Sequence, residues 1–173
     1  MPLTCVLLSR LLGDITDEKK ESGTEDRGAF MQRHNARLLI VDDIDINLII
    51  ARETLLYYGG DISLAYSGAQ AIEMIKENDY DIVFMDHMMP DLDGVDVTKI
   101  IRAIPDEKYK KLPIIALTAN VVGDVWDMFL ESGMSDFLSK PLEHKELERV
   151  LREWLPQEKW INVQHSENAE KQN

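Results

Sequence analysis

Five short apolar runs, each followed by a segment with helical character, are the feature that most constrains the fold of this chain. The apolar runs occupy residues 38–41, 62–65, 81–85, 113–117 and 136–139. The helical segments occupy residues 45–57, 68–78, 94–104, 123–132 and 143–155. Because the runs are apolar throughout, they resemble strands that are covered by helices on both faces. The pattern predicts an α/β fold: a doubly wound, five-stranded parallel sheet with five helices.

The alternation places one domain at residues 36–156, between two flanking segments. Residues 1–35 show no periodic pattern, so we expect an N-terminal tail or linker that is flexible. The apolar stretch at 3–12 fits either a frayed end or a short helix that docks on a partner. It has no basic segment before it, which argues against a signal peptide. Residues 157–173 predict a polar C-terminal tail beyond Pro156.

The composition is that of a globular protein and excludes several other classes. Apolar residues make up 45% of the chain and charged residues 29%, so a buried core is expected. The apolar runs fall well short of the roughly 20 residues that a membrane span requires. A single cysteine, Cys5, excludes a disulfide framework and a cysteine-based zinc site. We expect a cytoplasmic protein without membrane insertion.

The charge is strongly acidic and is concentrated in the predicted domain. The whole chain has a net charge of −13, and residues 36–156 alone hold 12 basic and 23 acidic side chains. A surface of this sign repels the phosphate backbone of nucleic acids, so direct DNA binding is not expected. The acidic excess also supplies side chains that could surround a cation.

Polar side chains stand at the ends of four of the five runs. Asp42 and Asp43 follow the first run, Asp86 the third, Thr118 the fourth and Lys140 the fifth. The carboxyl ends of parallel strands meet at one edge of a sheet, which is where ligands bind in such folds. Three carboxylates placed together would raise one another's pKa unless a cation lay among them, and oxygen ligands suit Mg²⁺.

The remaining two groups point to the anion that such a metal would accompany. The ammonium of Lys140 and the hydroxyl of Thr118 can neutralise and hydrogen-bond a tetrahedral anion. An aspartate can itself attack a phosphoryl group and form an acyl phosphate. The strand ends therefore predict phosphoryl transfer onto a carboxylate.

Residues 36–155 resemble a response-regulator receiver domain of two-component signalling. The matching segments are Val41-Asp42-Asp43, Met85-Asp86-His87-Met88-Met89-Pro90 with Gly94, Leu117-Thr118-Ala119-Asn120 and Phe137-Leu138-Ser139-Lys140-Pro141. Their order and spacing are intact, which makes the resemblance specific. It implies a flavodoxin-like sheet with the strand order 2-1-3-4-5.

The resemblance assigns the acceptor and its metal. It implies that Asp86 is the phosphoacceptor and that Mg²⁺, or Mn²⁺ in its place, is the cofactor. The metal would be bound directly by Asp43, Asp86 and the backbone carbonyl of Met88, whereas Asp42 would act through a water molecule.

The resemblance also assigns the residues that respond to phosphorylation. Lys140 and Thr118 would bind the phosphoryl group, and Thr118 with Phe137 would form the switch. In the family this switch alters the surface formed by the fourth helix, the fifth strand and the fifth helix. Phe137 has no hydroxyl group, so its inward state gains no hydrogen bond. Met88 and Asn120 occupy positions that tune the lifetime of the acyl phosphate.

The partners and the enzyme class follow from the same resemblance. The phosphodonor would be a histidine kinase or a histidine-phosphotransfer protein, and a downstream protein would read the phosphorylated domain, which could pair as a dimer. The motif around Asp86 and the ending Glu-Trp-Leu-Pro-Gln-Glu-Lys resemble receivers of hybrid histidine kinases. We expect a bacterial protein, either a stand-alone receiver or such a receiver portion. The residues contain no kinase core, so no enzymatic activity is expected beyond the domain's own phosphorylation and dephosphorylation.

Two other functions fit parts of the sequence. A haloacid-dehalogenase-like phosphatase would use Asp43 as nucleophile and Asp45 as acid, although Asn47 stands where that family has threonine or valine. A flavin-binding module would use a similar sheet. Its first strand–helix turn would have to hold a phosphate, whereas here that turn is anionic. His87 fits either a structural residue or a phosphohistidine.

Overall fold

A computed structural model of the chain describes residues 33–119 and 125–161. In these ranges the strands are β1 (Arg33–Val41), β2 (Gly59–Ala65), β3 (Ile82–Asp86), β4 (Ile114–Thr118), β5 (Asp136–Ser139) and β6 (Trp160–Ile161). The α-helices are α1 (Asp45–Leu56), α2 (Gly68–Glu77), α3 (Gly94–Arg102), α4 (Glu107–Lys111), α5 (Val125–Ser132) and α6 (His144–Trp154). A 3₁₀ turn at Gln157–Lys159 precedes β6.

The sheet has the predicted architecture. Its main path runs in the order β2-β1-β3-β4-β5, and each neighbouring pair on this path is parallel. Every residue of β3 and β4 is buried, because these strands lie inside the sheet and are covered on both faces. The predicted doubly wound fold and the strand order are therefore confirmed.

The core consists of two apolar layers, one on each face of the sheet. Helices α2, α3 and α5 cover one face, with Ile75, Ile101 and Phe129 among the buried contacts. Helices α1 and α6 cover the other, where Leu55 and Leu151 are fully buried. Burial of such side chains is the main driving force that holds helices against a sheet.

Capping side chains set where two of the helices begin. The hydroxyl of Ser67 accepts a hydrogen bond from Gln70 N at 3.2 Å, which starts α2 at the predicted position. In return, Gln70 Oε1 accepts from Tyr66 N at 2.8 Å. The carboxylate of Asp93 accepts from Asp96 N at 2.8 Å and starts α3. These bonds satisfy amide groups that have no partner within the helix.

Two elements of the described chain go beyond the predicted five strands and five helices. The first is the short helix α4, which Asp106 caps by accepting a hydrogen bond from Lys108 N. Only Tyr109 of α4 is buried, so the sequence of this helix has no apolar stripe. The second is β6, a strand of two residues that pairs with β1 in the antiparallel direction.

Strand β6 pairs with the start of β1. Trp160 lies opposite His34, and their rings meet edge-on with centroids 5.6 Å apart. Nearby, Lys159 Nζ lies 3.1 Å from a carboxylate oxygen of Asp81. Strand β1 therefore begins at Arg33, before the predicted boundary at residue 36, and β6 lies within the segment predicted as a polar tail.

Candidate functional site

Three aspartates meet at the carboxyl edge of the sheet. Asp42 and Asp43 follow from β1, and Asp86 is the last residue of β3. One carboxylate oxygen of each lies within 4.8 Å of the others. Asp42 and Asp86 are buried, whereas Asp43 is exposed, so the cluster is open to solvent on the side of Asp43. The predicted convergence of these three residues is confirmed.

Lys140 joins the cluster from the end of β5. Its Nζ lies 2.5 Å from Asp42 Oδ2 and 3.1 Å from Asp86 Oδ2. The ammonium therefore bridges the two buried carboxylates, and its side chain is only 23% exposed. One lysine balances one of three negative charges, so the cluster keeps a negative charge that a divalent cation could neutralise.

Burial favours the neutral form of the Asp86 carboxyl, and Lys140 and the backbone N–H of Met88 partly offset this effect. Burial raises the pKa of the Asp86 carboxyl, and the nearby charge of Asp42 raises it further. The ammonium of Lys140 opposes both effects, and Met88 N donates to Asp86 Oδ1 at 3.3 Å. One oxygen of Asp86 thus faces a cation and the other a backbone amide.

Asn47 also belongs to this site, although no role as a receiver residue was predicted for it. Its side-chain amide nitrogen donates to Asp42 Oδ1 at 3.0 Å and to Asp42 Oδ2 at 3.2 Å. The backbone N–H of Ile44 donates to Asp42 Oδ1 at 2.9 Å. These hydrogen bonds hold the carboxylate of Asp42 in one orientation. The sequence feature that could have revealed the role of Asn47 is an amide side chain in the first turn of the helix that follows the paired aspartates.

Thr118 and Phe137 lie on the two strands beside the acceptor. Thr118 ends β4 and is 1% exposed; it stands one residue beyond Leu117, the register partner of Asp86. Phe137 of β5 is half-buried, and its ring packs against Trp126 of α5 with centroids 5.2 Å apart. The strand register therefore brings Thr118 next to the site, and Phe137 contacts the helix that follows β4.

Two further predicted positions have different outcomes. Met88 lies beside Asp86, and 71% of its surface is exposed. Asn120 lies outside the described residues. Their predicted influence on acyl-phosphate lifetime stays a prediction.

The donor set fits the metal that the sequence predicts. All side-chain donors of the cluster are carboxylate oxygens, which are the ligands that Mg²⁺ prefers in proteins. The exposed position of Asp43 leaves room for water ligands, which Mg²⁺ usually retains. Asp45, which the phosphatase alternative requires, does not belong to this group of three; it opens α1 and is exposed.

Comparison with known sequences agrees with this geometry. The sequence model described as "Response regulator receiver domain" matches residues 38–152. The aerobic respiration control sensor protein ArcB of Escherichia coli is 37% identical over 118 residues, which are 68% of this chain and 15% of ArcB. The sensor protein GacS of Pseudomonas syringae is 34% identical, over 75% of this chain and 14% of GacS.

The similarity extends beyond bacteria. The transcription factor SKN7 of Candida albicans is 35% identical over 118 residues, which are 68% of this chain and 20% of SKN7. The chain therefore spans a fifth or less of the length of these three relatives. None of the comparisons supports the haloacid-dehalogenase alternative.

Solved structures give the same result. The receiver domain of the sensor histidine kinase PA1611 from Pseudomonas aeruginosa, which has a magnesium ion in its active-site cleft, is 36% identical with a TM-score of 0.63. The match covers 69% of this chain and 97% of that one. The chemotaxis protein CheY4 of Vibrio cholerae is 26% identical with a TM-score of 0.65, over 70% and 99% of the two chains. This chain belongs to the response regulator receiver domain family of two-component signalling.

Proposed function

We propose that Asp86 accepts a phosphoryl group from a phosphohistidine. The observation that carries this proposal is the position of Asp86 Oδ2, which lies 3.1 Å from the ammonium of Lys140 inside an acidic cluster that opens to solvent. In the transfer, an oxygen of Asp86 forms a bond to phosphorus while the bond from phosphorus to the imidazole nitrogen breaks. The electron pair of that bond stays on the imidazole of the donor.

The surrounding residues would hold the reacting groups. Asp43, Asp86 and the backbone carbonyl of Met88 would bind Mg²⁺ directly, or Mn²⁺ in its place, and Asp42 would act through water. The metal, when bound, neutralises charge on the phosphoryl oxygens. Lys140 is close enough to Asp86 to pair with the transferred group, and Thr118 can donate its hydroxyl hydrogen to a phosphoryl oxygen.

The phosphorylated state would be read on the surface formed by α5, β5 and α6. Thr118 moves towards the phosphoryl group, and the ring of Phe137 turns inward as Thr118 vacates its place. The contact between Phe137 and Trp126 supports this route, because it joins β5 to α5. Met88, exposed next to Asp86, would tune the lifetime of the acyl phosphate together with Asn120.

The biological setting is proposed on the same basis. The phosphodonor would be a histidine kinase or a histidine-phosphotransfer protein, and the reader would be a downstream protein or a second copy of the domain. Similarity to ArcB and GacS supports an origin in a hybrid sensor kinase that acts in the cytoplasm of a bacterium. The receiver would extend over residues 33–161, since β1 and β6 continue it beyond 36–156. It would not act as a kinase.

Measurement of intact mass tests the acceptor directly. The full chain is incubated with Mg²⁺ and acetyl phosphate, and Asp86→Asn and Asp45→Asn are treated in parallel. We expect one added phosphoryl group in the wild type and in Asp45→Asn, and none in Asp86→Asn or with EDTA. An adduct that persists in Asp86→Asn would contradict the proposal and would favour the phosphatase alternative, in which Asp43 is the nucleophile.

A further inference from the structure

His87 makes an unusual connection immediately after the proposed acceptor. Its backbone N–H and its ring Nδ1 both reach the carbonyl oxygen of Leu117, at 3.4 Å and 3.0 Å. A carbonyl oxygen only accepts hydrogen bonds, so Nδ1 carries the ring hydrogen. This carbonyl belongs to the peptide group that precedes Thr118. His87 therefore holds the backbone at the point where the switch threonine begins.

The ring of His87 also contacts a helix of the proposed output surface. It meets the ring of Phe129 in α5 edge-on, with centroids 5.5 Å apart. Phe129 is 1% exposed and belongs to the core layer under α5. The side chain of His87 is itself only 15% exposed. One partly buried ring thus lies between the end of β4 and the packed face of α5.

The contacts of His87 join neighbouring elements and do not include a hydrogen bond to the acceptor carboxylate. Its Nδ1 is 3.9 Å from Asp86 Oδ1, which is too long for a hydrogen bond. Its backbone carbonyl accepts from Gly94 N at 3.3 Å, which joins the loop after Asp86 to the start of α3. His87 therefore touches the elements around the acceptor without making a hydrogen bond to the acceptor carboxylate.

We propose that His87 is a positioning residue that couples Thr118 to α5, in parallel with the route through Phe137. The inference rests on the proposed function, because it needs Thr118 to move when Asp86 is phosphorylated. A shift of the peptide group between Leu117 and Thr118 moves the carbonyl that His87 binds. Since protein interiors are close-packed, a displaced ring at this position must displace Phe129 as well.

The route through His87 supplies a hydrogen bond that the route through Phe137 lacks. Phe137 has no hydroxyl group, so its inward position gains no hydrogen bond. The link through His87 contains a hydrogen bond at one end and a ring contact at the other. Loss of either contact should therefore weaken the response of α5.

The test separates uptake of the phosphoryl group from the response of α5. Uptake is measured by intact mass with acetyl phosphate and Mg²⁺. The response is the change in hydrogen exchange of the segment Val125–Ser132 when beryllofluoride and Mg²⁺ are added to the full chain. His87→Ala removes both contacts, His87→Asn keeps an amide donor for Leu117, and His87→Phe keeps a ring against Phe129.

We expect all three variants to take up the phosphoryl group at a rate within about threefold of wild type. We expect the response of α5 to fall below about half of the wild-type value in His87→Ala, and to be intermediate in His87→Asn and His87→Phe. Addition of Phe137→Ala to His87→Ala should abolish the response, because two parallel routes would then be cut.

Several results would overturn the inference. A full response of α5 in His87→Ala would show that the ring carries no coupling, and no response in the wild type would show that α5 is not coupled. Loss of uptake in all three variants would place His87 in the acceptor site instead. If the wild type takes up no phosphoryl group on Asp86, the proposed function itself fails. Normal uptake with an unchanged response in His87→Ala rejects this inference alone.

Discussion

The side-chain amide of Asn47 donates to both carboxylate oxygens of Asp42, at 3.0 Å and 3.2 Å. Asp42 is 1% exposed, and Lys140, which follows β5 at the same edge of the sheet, approaches its Oδ2. The carboxylate therefore cannot rotate without losing a hydrogen bond or an ion pair in a buried place, which is costly. The first turn of α1 thus holds one member of the acidic cluster in position before a metal arrives.

Replacement of Asn47 by leucine should weaken metal binding. The variant frees the carboxylate of Asp42 to rotate, and loss of such an outer contact typically costs about 10-fold or more in metal affinity. Titration of Mg²⁺ by calorimetry measures the effect, with Asn35→Leu, at an exposed residue of β1, as the matched control. Equal Mg²⁺ affinity in wild type and Asn47→Leu would mean that the hydrogen bonds from Asn47 to Asp42 do not contribute to metal binding.

Replacement of Lys140 by methionine should change metal binding and phosphoryl uptake in opposite directions. Without the ammonium the acidic cluster becomes more negative, so Mg²⁺ should bind more tightly. Phosphoryl uptake should slow by about 100-fold, because the transferred group loses a charge partner. Lys145→Met, an exposed lysine in the first turn of α6, should behave as wild type in both measurements. Parallel losses of affinity and uptake would instead indicate a collapsed site.

Replacement of Gly94 by alanine should disturb the acceptor through the backbone. A Cβ at this position would meet the backbone carbonyl oxygen of Asp86 and lie 2.8 Å from Met85 Cγ. The start of α3 would have to move away from β3, at a cost of about 2 kcal/mol in the free energy of unfolding. Urea denaturation measures this loss, and phosphoryl uptake should fall with it. A variant with wild-type stability would show that α3 can shift without strain.

Acid should destabilise the domain through His34, at the opposite edge of the sheet. Burial lowers the pKa of His34 to about 4, and the charge of Asp81 only partly opposes this. Between pH 6.5 and 4 the unfolded chain therefore binds a proton that the folded chain does not, and the free energy of unfolding falls as the pH falls. The loss from pH 7 to pH 5 should be about 2 kcal/mol.

The variant His34→Phe isolates this contribution. Phenylalanine keeps a ring against Trp160 but cannot bind a proton, so the variant should lose less stability than wild type between pH 7 and pH 5. Both proteins are unfolded with urea at the two pH values, and the difference between the two losses is the measured quantity. Asp81 and Lys159, the charged pair beside this ring, are present in both proteins and cancel. Equal losses would indicate that His34 binds a proton as readily in the folded chain as in the unfolded chain.

The sequence predicted the main sheet well because the physical signal there is strong and local. Strands such as β3 and β4 are buried on both faces, so they are continuous apolar runs. The polar residues at the ends of these two strands, Asp86 and Thr118, stand out against the apolar runs. Their meeting at one edge follows from the parallel arrangement alone.

The elements that the sequence did not predict depend on distant contacts or on very few residues. Strand β6 has two residues, and its pairing requires the extended start of β1 more than 120 positions away. Helix α4 is a single capped turn with one buried side chain, so it shows no periodicity. The role of Asn47 depends on which way one amide points. The assigned roles of Phe137, Met88 and Asn120 remain predictions.

The pairing of β6 with β1 determines where the flanking chain enters and leaves the receiver. Arg33 lies directly opposite Ile161, and such partners in an antiparallel pair are about 5 Å apart. Arg33 and Ile161 both lie at the amino edge of the sheet, on the far side from Asp86. Neighbouring segments can therefore attach to the receiver at this edge, while the carboxyl edge with Asp86 stays accessible to a donor.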